Sequence, residues 1–351
     1  MNDASPGTVD SPESSSSAPK KGGSRIGVLL IGLVIIAAAA IWLEPTRVSW
    51  GLLTGESFFA GRPTSFWRNS LAGPADARAN AEKALQDGGD EAVPVLTELA
   101  AGEAGDDWKG SEVRILALDM LGAIGPDASE AVPVVLAALE DDDGHLRSVA
   151  AVNLPKIGAE AEQAVPALTK LAAMDPRPEV IRAISVYREE AASSLPVLVE
   201  ILEDHSHDTE TRWNAARTLG KLGPRGVQAV EVLVRCLKDE ASTVREHSAE
   251  ALGDIGPPAV TTVPDLVSVL DDPATRVRRD AVRSLGQVGP EAKAAVPQIV
   301  PLLDDPEQMV RDATAKTLEI LAPDVLQEYR AKEAAEKNAE DEAAAGDSSK
   351  G

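Results

Sequence analysis

The side chains in this sequence that could do chemistry are few, and the densest group is a stretch with two imidazoles and two carboxylates. His205 and His207 are flanked by Asp204 and Asp208, and these groups are typical ligands of transition metals. A stable site needs a further ligand at a suitable spacing, and none accompanies these two histidines. We therefore expect a solvated loop here, with no metal and no other cofactor.

Other reactive residue types also lack a supporting pattern. Asp141, Asp142 and Asp143 precede Gly144, but they lack the alternating spacing of a calcium loop and are better placed to cap the next helix. Cys236 is the only cysteine, so no intrachain disulfide is possible, and its position in the repeat described below predicts a core residue. No nucleophile motif, phosphate-binding glycine loop or paired-carboxylate pattern is present, so we expect no catalytic residues.

Six arginines recur at a fixed interval, and this interval is more informative than any single side chain. Successive members are 33 residues apart, except for one gap of 65 residues that holds two units. Such a period is typical of stacked repeats, in which each unit buries its apolar face only against its neighbours. The six are Arg114, Arg147, Arg212, Arg245, Arg278 and Arg311.

Each unit has the pattern of two short amphipathic helices. Most copies read V-R-x-x-A-x-x-x-L-G-x-I-G-P and then, after a short link, A-V-P-x-L-x-x-L-L. Gly-Pro predicts the end of the first helix, and Val-Pro predicts the first turn of the second. Asp-Pro, as at Asp272-Pro273 and Asp305-Pro306, predicts an N-cap and first helical residue for the next unit. No window alternates with period two, so the sequence predicts an all-α solenoid without a sheet.

This helix pair resembles the HEAT repeat, in the short form of bacterial HEAT-like proteins and phycobilisome lyase subunits. The resemblance covers residues 64–323, about seven units. The unit near 178–204 departs from it, because it lacks the L-G-x-I-G ending, and curvature is expected to change there. The resemblance also implies that the recurring arginines stack between repeats and pair with acidic turn residues, for which the candidates are Asp271, Asp272, Asp304 and Asp305.

Some HEAT-like enzymes carry a di-iron site built from repeated His-Glu pairs. This sequence has no His-Glu dipeptide among its four histidines, so the resemblance does not extend to that activity. We therefore predict that the protein is not an enzyme.

Residues 26–43 form an uncharged apolar run of eighteen residues, long enough as a helix to span roughly 27 Å of a ~30 Å hydrocarbon core. Basic residues precede the run, which predicts a cytoplasmic N-terminus and a repeat domain on the extracytoplasmic side of the cell membrane. A cleaved signal peptide is the competing interpretation. The length of the run and the absence of a small-residue cleavage site favour an uncleaved, single-pass anchor.

The remaining segments follow from composition and charge. We expect residues 1–25 to be disordered, residues 44–63 to form a linker and N-terminal cap, and residues 324–351 to form an acidic tail, helical and then disordered. The net charge is −23, and residues 1–43 contribute none of it. Such an acidic surface without a basic stripe argues against a nucleic-acid partner.

Two features are candidate partner-binding sites. Trp213 lies at the repeat position of Glu246 and Arg279, which is expected to face solvent, so it is either an interface anchor or a plug against the irregular preceding unit. By family analogy the second helices line the concave side, and their outward ridge has mixed charges that suit a protein partner. That ridge includes Glu98, Lys170, Glu200, Arg235 and Ser268.

Together these patterns predict a membrane-anchored α-solenoid that acts as a non-catalytic scaffold for a protein partner. Two alternatives remain open: a lyase-like or chaperone-like accessory factor related to the phycobilisome lyase subunits, and a self-associating structural surface protein. The sequence does not identify the partner.

Overall fold

The computed structural model describes residue 31 and residues 33–39, 46–102 and 108–348. Most of the predicted membrane span, 26–43, lies outside these residues. Its described members are helical and exposed, and Val34 has 68% of its surface accessible. Within the described residues, a single helical stretch, Gly110–Ala138, is long and apolar enough to cross a membrane by length and composition alone. It belongs to the repeat array and is interrupted at Gly125, where φ is +80°.

The described part of the chain is almost entirely helical and stacks seven helix pairs, which confirms the all-α prediction. The first helices of the successive pairs are Ala75–Asp87, Trp108–Ile124, Gly144–Asn153, Pro178–Val186, Thr209–Lys221, Ser242–Ile255 and Thr275–Val288. The second helices are Val93–Ala101, Val132–Ala138, Ala161–Met174, Leu195–Glu203, Val230–Cys236, Val263–Val267 and Val296–Ile299.

Further helices lie at both ends of the array and in the links. Val48–Thr54 and Thr64–Leu71 precede it, and Gln308–Leu321 and Pro323–Ser348 follow it. Short 3-10 helices join the two members of most pairs or extend the last second helix: Gly89–Ala92, Gly125–Ala131, Arg188–Ser194, Gly223–Ala229, Pro257–Thr262, Pro290–Ala295 and Val300–Asp304.

Successive first helices approach each other closely, and the glycine of the L-G motif makes this possible. A Cβ added at Gly220 would lie 2.6 Å from the Cα of Ala251, and one at Gly253 would lie 2.3 Å from Ser284 Oγ. Ser284 Oγ also donates a 2.8 Å hydrogen bond to the carbonyl of Ala249 on the preceding first helix. Only a residue without a side chain fits at this contact.

The predicted helix boundaries are confirmed at most of the glycines and prolines. Gly256 and Gly289, which end first helices, have φ of +77° and +117°, the region that glycine adopts without strain. The Val-Pro pairs begin second helices, except that Pro166 lies inside Ala161–Met174. The glycines and prolines of most units thus determine where the helices begin and end.

The role predicted for the Asp-Pro pairs is wrong. The helix after Asp272-Pro273 begins at Thr275, and its N-cap residue is Ala274. Asp272 instead accepts a 2.8 Å hydrogen bond from the Ala274 backbone N–H, which forms a turn before the helix. Its carboxylate is thereby free to face a neighbouring unit.

The N-terminal end of the array is covered by a small hairpin. Phe58–Phe59 pairs antiparallel with Arg62–Pro63, so the prediction of no sheet is wrong at this place. Its turn residues Ala60 and Gly61 both have positive φ, +48° and +70°, as a two-residue hairpin turn requires. Strands this short carry no period-two pattern that could reveal them.

Side chains fasten this hairpin to the first pair. The Phe59 ring packs where a Cβ on Gly88 would stand, 2.3 Å from Phe59 Cζ, and Trp67 Nε1 donates to the Phe59 carbonyl at 3.3 Å. Glu98 Oε2 accepts from Ser57 N at 2.8 Å. The hairpin therefore caps the apolar end that an outermost repeat leaves uncovered.

The other end is closed by the start of the helix Pro323–Ser348. Leu326 has 2% of its surface exposed, and Tyr329 donates its hydroxyl to Asp304 Oδ1 at 2.5 Å. This part of the acidic tail packs on the last unit.

Candidate functional site

A ladder of ion pairs runs along one edge of the array, and each rung joins two units. In the most regular rung, Arg278 donates through Nε and Nη2 to the two carboxylate oxygens of Asp305, at 2.8 and 2.9 Å. Arg278 Nη1 also donates to the backbone carbonyl of Asp272 at 2.9 Å. One guanidinium thus connects the turns on both sides of its helix, and its planar fork suits this bidentate contact.

The rung between Arg245 and Asp272 repeats this geometry, with bonds of 2.8 and 2.9 Å from Nε and Nη2. In the first two rungs, by contrast, Arg114 and Arg147 each contact the aspartate through one guanidinium nitrogen. Asp272 and Asp305 are the acidic partners in the last two rungs, whereas Asp304 bonds Tyr329. The hydrogen bonds from Arg278 lower the pKa of Asp305. Arg311, at the end of the ladder, bonds backbone carbonyls and Gln308. The rungs pair Arg114 with Asp141, Arg147 with Asp175, Arg212 with Asp239, Arg245 with Asp272 and Arg278 with Asp305.

The rung between Arg212 and Asp239 is the most buried. Their side chains are 6% and 3% exposed. Arg212 Nε also donates to the Leu202 carbonyl at 3.1 Å. Burial disfavours the charge on Asp239, but the hydrogen bonds from Arg212 and the Ala241 N–H outweigh it and lower the pKa of this carboxyl. These pairs join residues of adjacent units, and their role is to hold the units together.

The ladder is interrupted at the unit Pro178–Glu203. Ile181, which is buried, lies where the neighbouring first helices carry their arginine. The turn carboxylate Asp204 still accepts from the Ser206 N–H at 2.8 Å, as four of the five ladder aspartates do from the N–H two residues on. Its side-chain partner is His207, with Nε2 3.6 Å from Oδ2.

The candidate metal cluster therefore has a structural explanation. Asp204 forms the turn, and Asp208 caps the next helix by accepting from the Thr211 N–H at 2.9 Å. Among the described residues, no group of three or more His, Cys, Asp and Glu side chains could hold a metal ion. The N-cap prediction for Asp143 is confirmed, since its side chain accepts from the His145 and Leu146 N–H groups.

The same irregular unit contains a residue that the sequence analysis did not single out. Arg188 has φ of +50° at the position that glycine fills in the units before and after it, Gly158 and Gly223. A non-glycine residue in this region costs about 1 kcal/mol or more. The sequence alone could have identified this residue, because Arg188 stands where the repeat requires the glycine of the motif ending.

An apolar cavity opens beside this irregular helix. It has a volume of about 340 Å³ and lies between the first helices Gly144–Asn153 and Pro178–Val186. Its apolar wall includes Val152, Pro155 and Val186, and Val186 is 57% exposed. The rim carries both signs of charge, from Lys156, Glu179 and Arg182.

Trp213 lies on the following first helix but does not project freely. Its ring stacks on His247 of the next unit, with centroids 4.6 Å apart and an angle of 26°. His247 Nδ1 is 2.8 Å from Glu250 Oε2. The equivalent Glu246 is only 6% exposed, so the solvent-facing position predicted for this site is wrong. Trp213 thus packs on the unit that follows it.

Two residues of the predicted second-helix ridge form ion pairs with neighbouring units. Lys170 bonds Glu140 at 2.6 Å, and Arg235 bonds Glu203 as well as Glu231 of its own helix. Glu200 is exposed. The ridge is thus a solvated surface of mixed charges, and its screened pairs contribute little to stability.

Cys236 occupies the predicted core position. It is 7% exposed, like Val269 in the next unit. Burial raises the pKa of its thiol to about 11. The side chain therefore packs as a small apolar group and is not a reactive thiol.

Comparison with known proteins agrees with this architecture. A family model described as HEAT repeats matches residues 106–188, 195–263 and 263–345, more than half of the chain. The chain has no match among curated protein sequences.

Solved structures extend the comparison. The CpcE and CpcF complex of phycocyanin lyase from Nostoc sp. PCC7120 is 26% identical, with 56% of this chain and 68% of that chain covered and a TM-score of 0.38. Kap121p bound to Nup53p is 14% identical with a TM-score of 0.52, and the match covers 88% of this chain and 39% of that chain. Importin beta is 14% identical with a TM-score of 0.50, over 82% of this chain and 42% of that chain. The last two likenesses show a shared fold, and this chain spans about two fifths of those longer proteins.

Proposed function

Because the chain belongs to the HEAT-repeat family, we propose that it is a non-catalytic scaffold that binds a protein partner on its solenoid and is anchored in the cell membrane. The observation that carries this proposal is the apolar cavity beside Pro178–Val186. It opens where an otherwise regular array changes its pattern. Regular units serve mainly to stack, so a departure that creates a surface cavity is the best candidate for a binding function.

The cavity suits a protein segment with an apolar side chain. Val152, Pro155 and Val186 offer an apolar wall, and the charged rim is paired within the protein, with Arg182 bonding both Glu179 and Glu210. An apolar anchor surrounded by polar contacts is the usual form of a protein-binding hot spot. Similar folds bind protein chains, as Kap121p bound to Nup53p illustrates.

The membrane part of the proposal is supported by the sequence of residues 26–43. This uncharged run follows Lys20, Lys21 and Arg25, an order that favours a cytoplasmic N-terminus. The repeat domain then lies on the extracytoplasmic side. A full-length chain that is extracted from membranes by alkaline carbonate would contradict this anchoring.

Site-specific photocrosslinking tests the binding site. We would place a photoreactive amino acid at Val186, in the cavity wall, or at Met174, which is 62% exposed at the end of a second helix. The proposal expects a discrete adduct with one protein from the Val186 position in intact membranes, and none from Met174. The partner so identified would then be titrated against Val186→Asp and Met174→Asp variants.

The outcomes separate the candidate functions. Loss of affinity of at least about tenfold in Val186→Asp alone corresponds to a desolvated anchor. Adducts only between two copies of this chain would favour the self-associating alternative. If Glu200→Lys reduces affinity and Val186→Asp does not, the second-helix ridge is the binding face and the cavity is not.

A further inference from the structure

The helix Val48–Thr54 has one face packed on the protein and one apolar face without a cover. Gly51 is buried against the hairpin, where an added Cβ would lie 2.3 Å from Pro63 Cβ. On the opposite face Leu52 and Leu53 are each 71% exposed. Two adjacent leucines this exposed on a folded element suggest an apolar environment outside the protein.

The position of this helix in the chain limits what that environment is. Four residues, 44–47, separate it from the apolar run 26–43. Even fully extended, four residues span only about 14 Å. If the run crosses the bilayer, the helix must therefore lie within the thickness of the headgroup region or just above it.

Charge favours the same placement. Residues 44–73 contain Arg47, Arg62 and Arg68 but only Glu44 and Glu56, a net charge of +1. Since residues 1–43 are neutral overall, residues 74–351 carry −24. The N-terminal end of the solenoid is thus the part that an anionic lipid surface does not repel.

We infer that Val48–Thr54 lies in the membrane interface with Leu52 and Leu53 inserted among the lipids, so that the solenoid is held against the bilayer by its N-terminal end. This inference rests on the proposed membrane anchoring. A short amphipathic helix adjoining a span adds apolar burial to the anchor and fixes orientation. Because Gly51 and the hairpin attach the helix to the first repeat, its insertion also fixes the orientation of the solenoid relative to the membrane.

Lipid-quenching of a site-specific fluorophore tests the inference in the full-length protein. Cys236→Ser removes the native thiol, and Leu53→Cys or Ile320→Cys supplies a single labelling site. Ile320 is 67% exposed on the helix Gln308–Leu321, which follows the last pair, so it matches Leu53 in accessibility. The labelled proteins are reconstituted in phosphatidylcholine vesicles with and without nitroxide-labelled lipid.

The inference expects quenching at Leu53→Cys at least about twofold stronger than at Ile320→Cys, as for a group at the headgroup boundary. Equal quenching at the two positions, in protein that resists carbonate extraction, overturns the interfacial helix and leaves the anchor intact. Protein that carbonate extracts overturns the anchoring itself, and the inference with it. A Leu53 label shielded from lipid in a chain of doubled mass shows that a second copy covers the helix, which also overturns the inference.

A double variant tests whether the two leucines themselves hold the helix in the interface. Leu52→Asp with Leu53→Asp should lower quenching of a label at Ser49→Cys, an exposed position on the same helix, by about twofold, because the helix leaves the interface. Circular dichroism checks that the solenoid remains folded. Unchanged quenching at this label would overturn the inference.

Discussion

The rung between Arg278 and Asp305 and the irregular unit Pro178–Glu203 show two uses of the same repeat. In the first, a bidentate ion pair at 2.8 and 2.9 Å joins neighbouring units. In the second, Ile181 replaces the arginine and Arg188 replaces the helix-ending glycine. The regular rung thus keeps the arginine that joins two units, and the irregular unit lacks both this arginine and the glycine beside the apolar cavity.

The two regions differ in how much their residues contribute to the stability of the fold. A buried or half-buried pair such as Arg278 and Asp305 is costly to break, because the remaining charge loses its partner. A strained backbone residue such as Arg188 persists only where the surrounding structure or a function requires it. Each of the following variants changes one side of this comparison.

The largest effect is expected for Arg212→Ala, in the most buried rung. Its loss leaves Asp239, 3% exposed, without a cationic partner, and the free energy of unfolding should fall by about 3 kcal/mol. Urea unfolding of the full-length chain in a mild detergent, followed by circular dichroism, measures this. Arg311→Ala is the matched control, because Arg311 donates to two backbone carbonyls and to the neutral Gln308 side chain. A loss no larger than that of the control would show that the ladder does not stabilise the array.

The ladder should also make stability depend on acid. Burial disfavours ionisation of Asp272, yet the hydrogen bonds from Arg245 and the Ala274 N–H outweigh it and lower its pKa below the ordinary value. A group with a lowered pKa in the folded state stabilises the fold above its unfolded value of about 3.9, and this stability is lost as pH falls toward the folded pKa.

Asp272→Asn tests this pH dependence. The variant should be less stable by about 2 kcal/mol at pH 7, and the difference from the natural protein should shrink below about pH 4, where the aspartate becomes protonated. Asp271→Asn is the control, since its neighbouring, exposed carboxylate is outside the rung. Unfolding midpoints of the two variants and of the natural protein between pH 3 and pH 7 measure this pH dependence. A difference that is constant with pH would contradict the role of the charge.

In the irregular unit, Arg188→Gly should stabilise the fold. Glycine adopts φ of +50° without strain, so a gain of about 1 kcal/mol is expected. The reverse change, Gly256→Ala, tests backbone strain alone, because φ there is +77° and nothing lies within 4 Å of the added Cβ. It should destabilise by a similar amount. If Arg188→Gly is neutral or harmful while Gly256→Ala destabilises, the Arg188 side chain makes a compensating contact.

The sequence predicted the features that depend on local chain chemistry. Glycine at Gly256 and Gly289, proline in the first turn of most second helices, and the core position of Cys236 all follow from one residue's conformational or burial preference. Such preferences repeat unit after unit, so their period identified both the helix pairs and the family.

The wrong predictions concern residues whose role depends on a neighbouring unit. The Asp-Pro pattern predicted that Asp272 caps a helix, and this is wrong. Arg245 from the preceding unit binds it instead, as the family resemblance implied. Glu246 was expected in solvent, but Arg279 of the next first helix lies 3.4 Å away and helps to cover it. A single helical pattern cannot show which side chain an adjacent helix will bring.

The smallest effect is expected for His207→Ala, in the turn where the ladder is interrupted. His207 Nε2 lies 3.6 Å from Asp204 Oδ2, and the two side chains are 27% and 48% exposed. A solvent-screened pair of this kind contributes little to stability. Urea unfolding at pH 7 in the same detergent measures the loss. A loss as large as that of Asp272→Asn would show that His207 substitutes for the missing arginine. An unfolding midpoint unchanged from the natural protein would show instead that this turn holds its shape through the hydrogen bond from the Ser206 N–H to Asp204, a bond that recurs at the ladder aspartates Asp141, Asp239, Asp272 and Asp305.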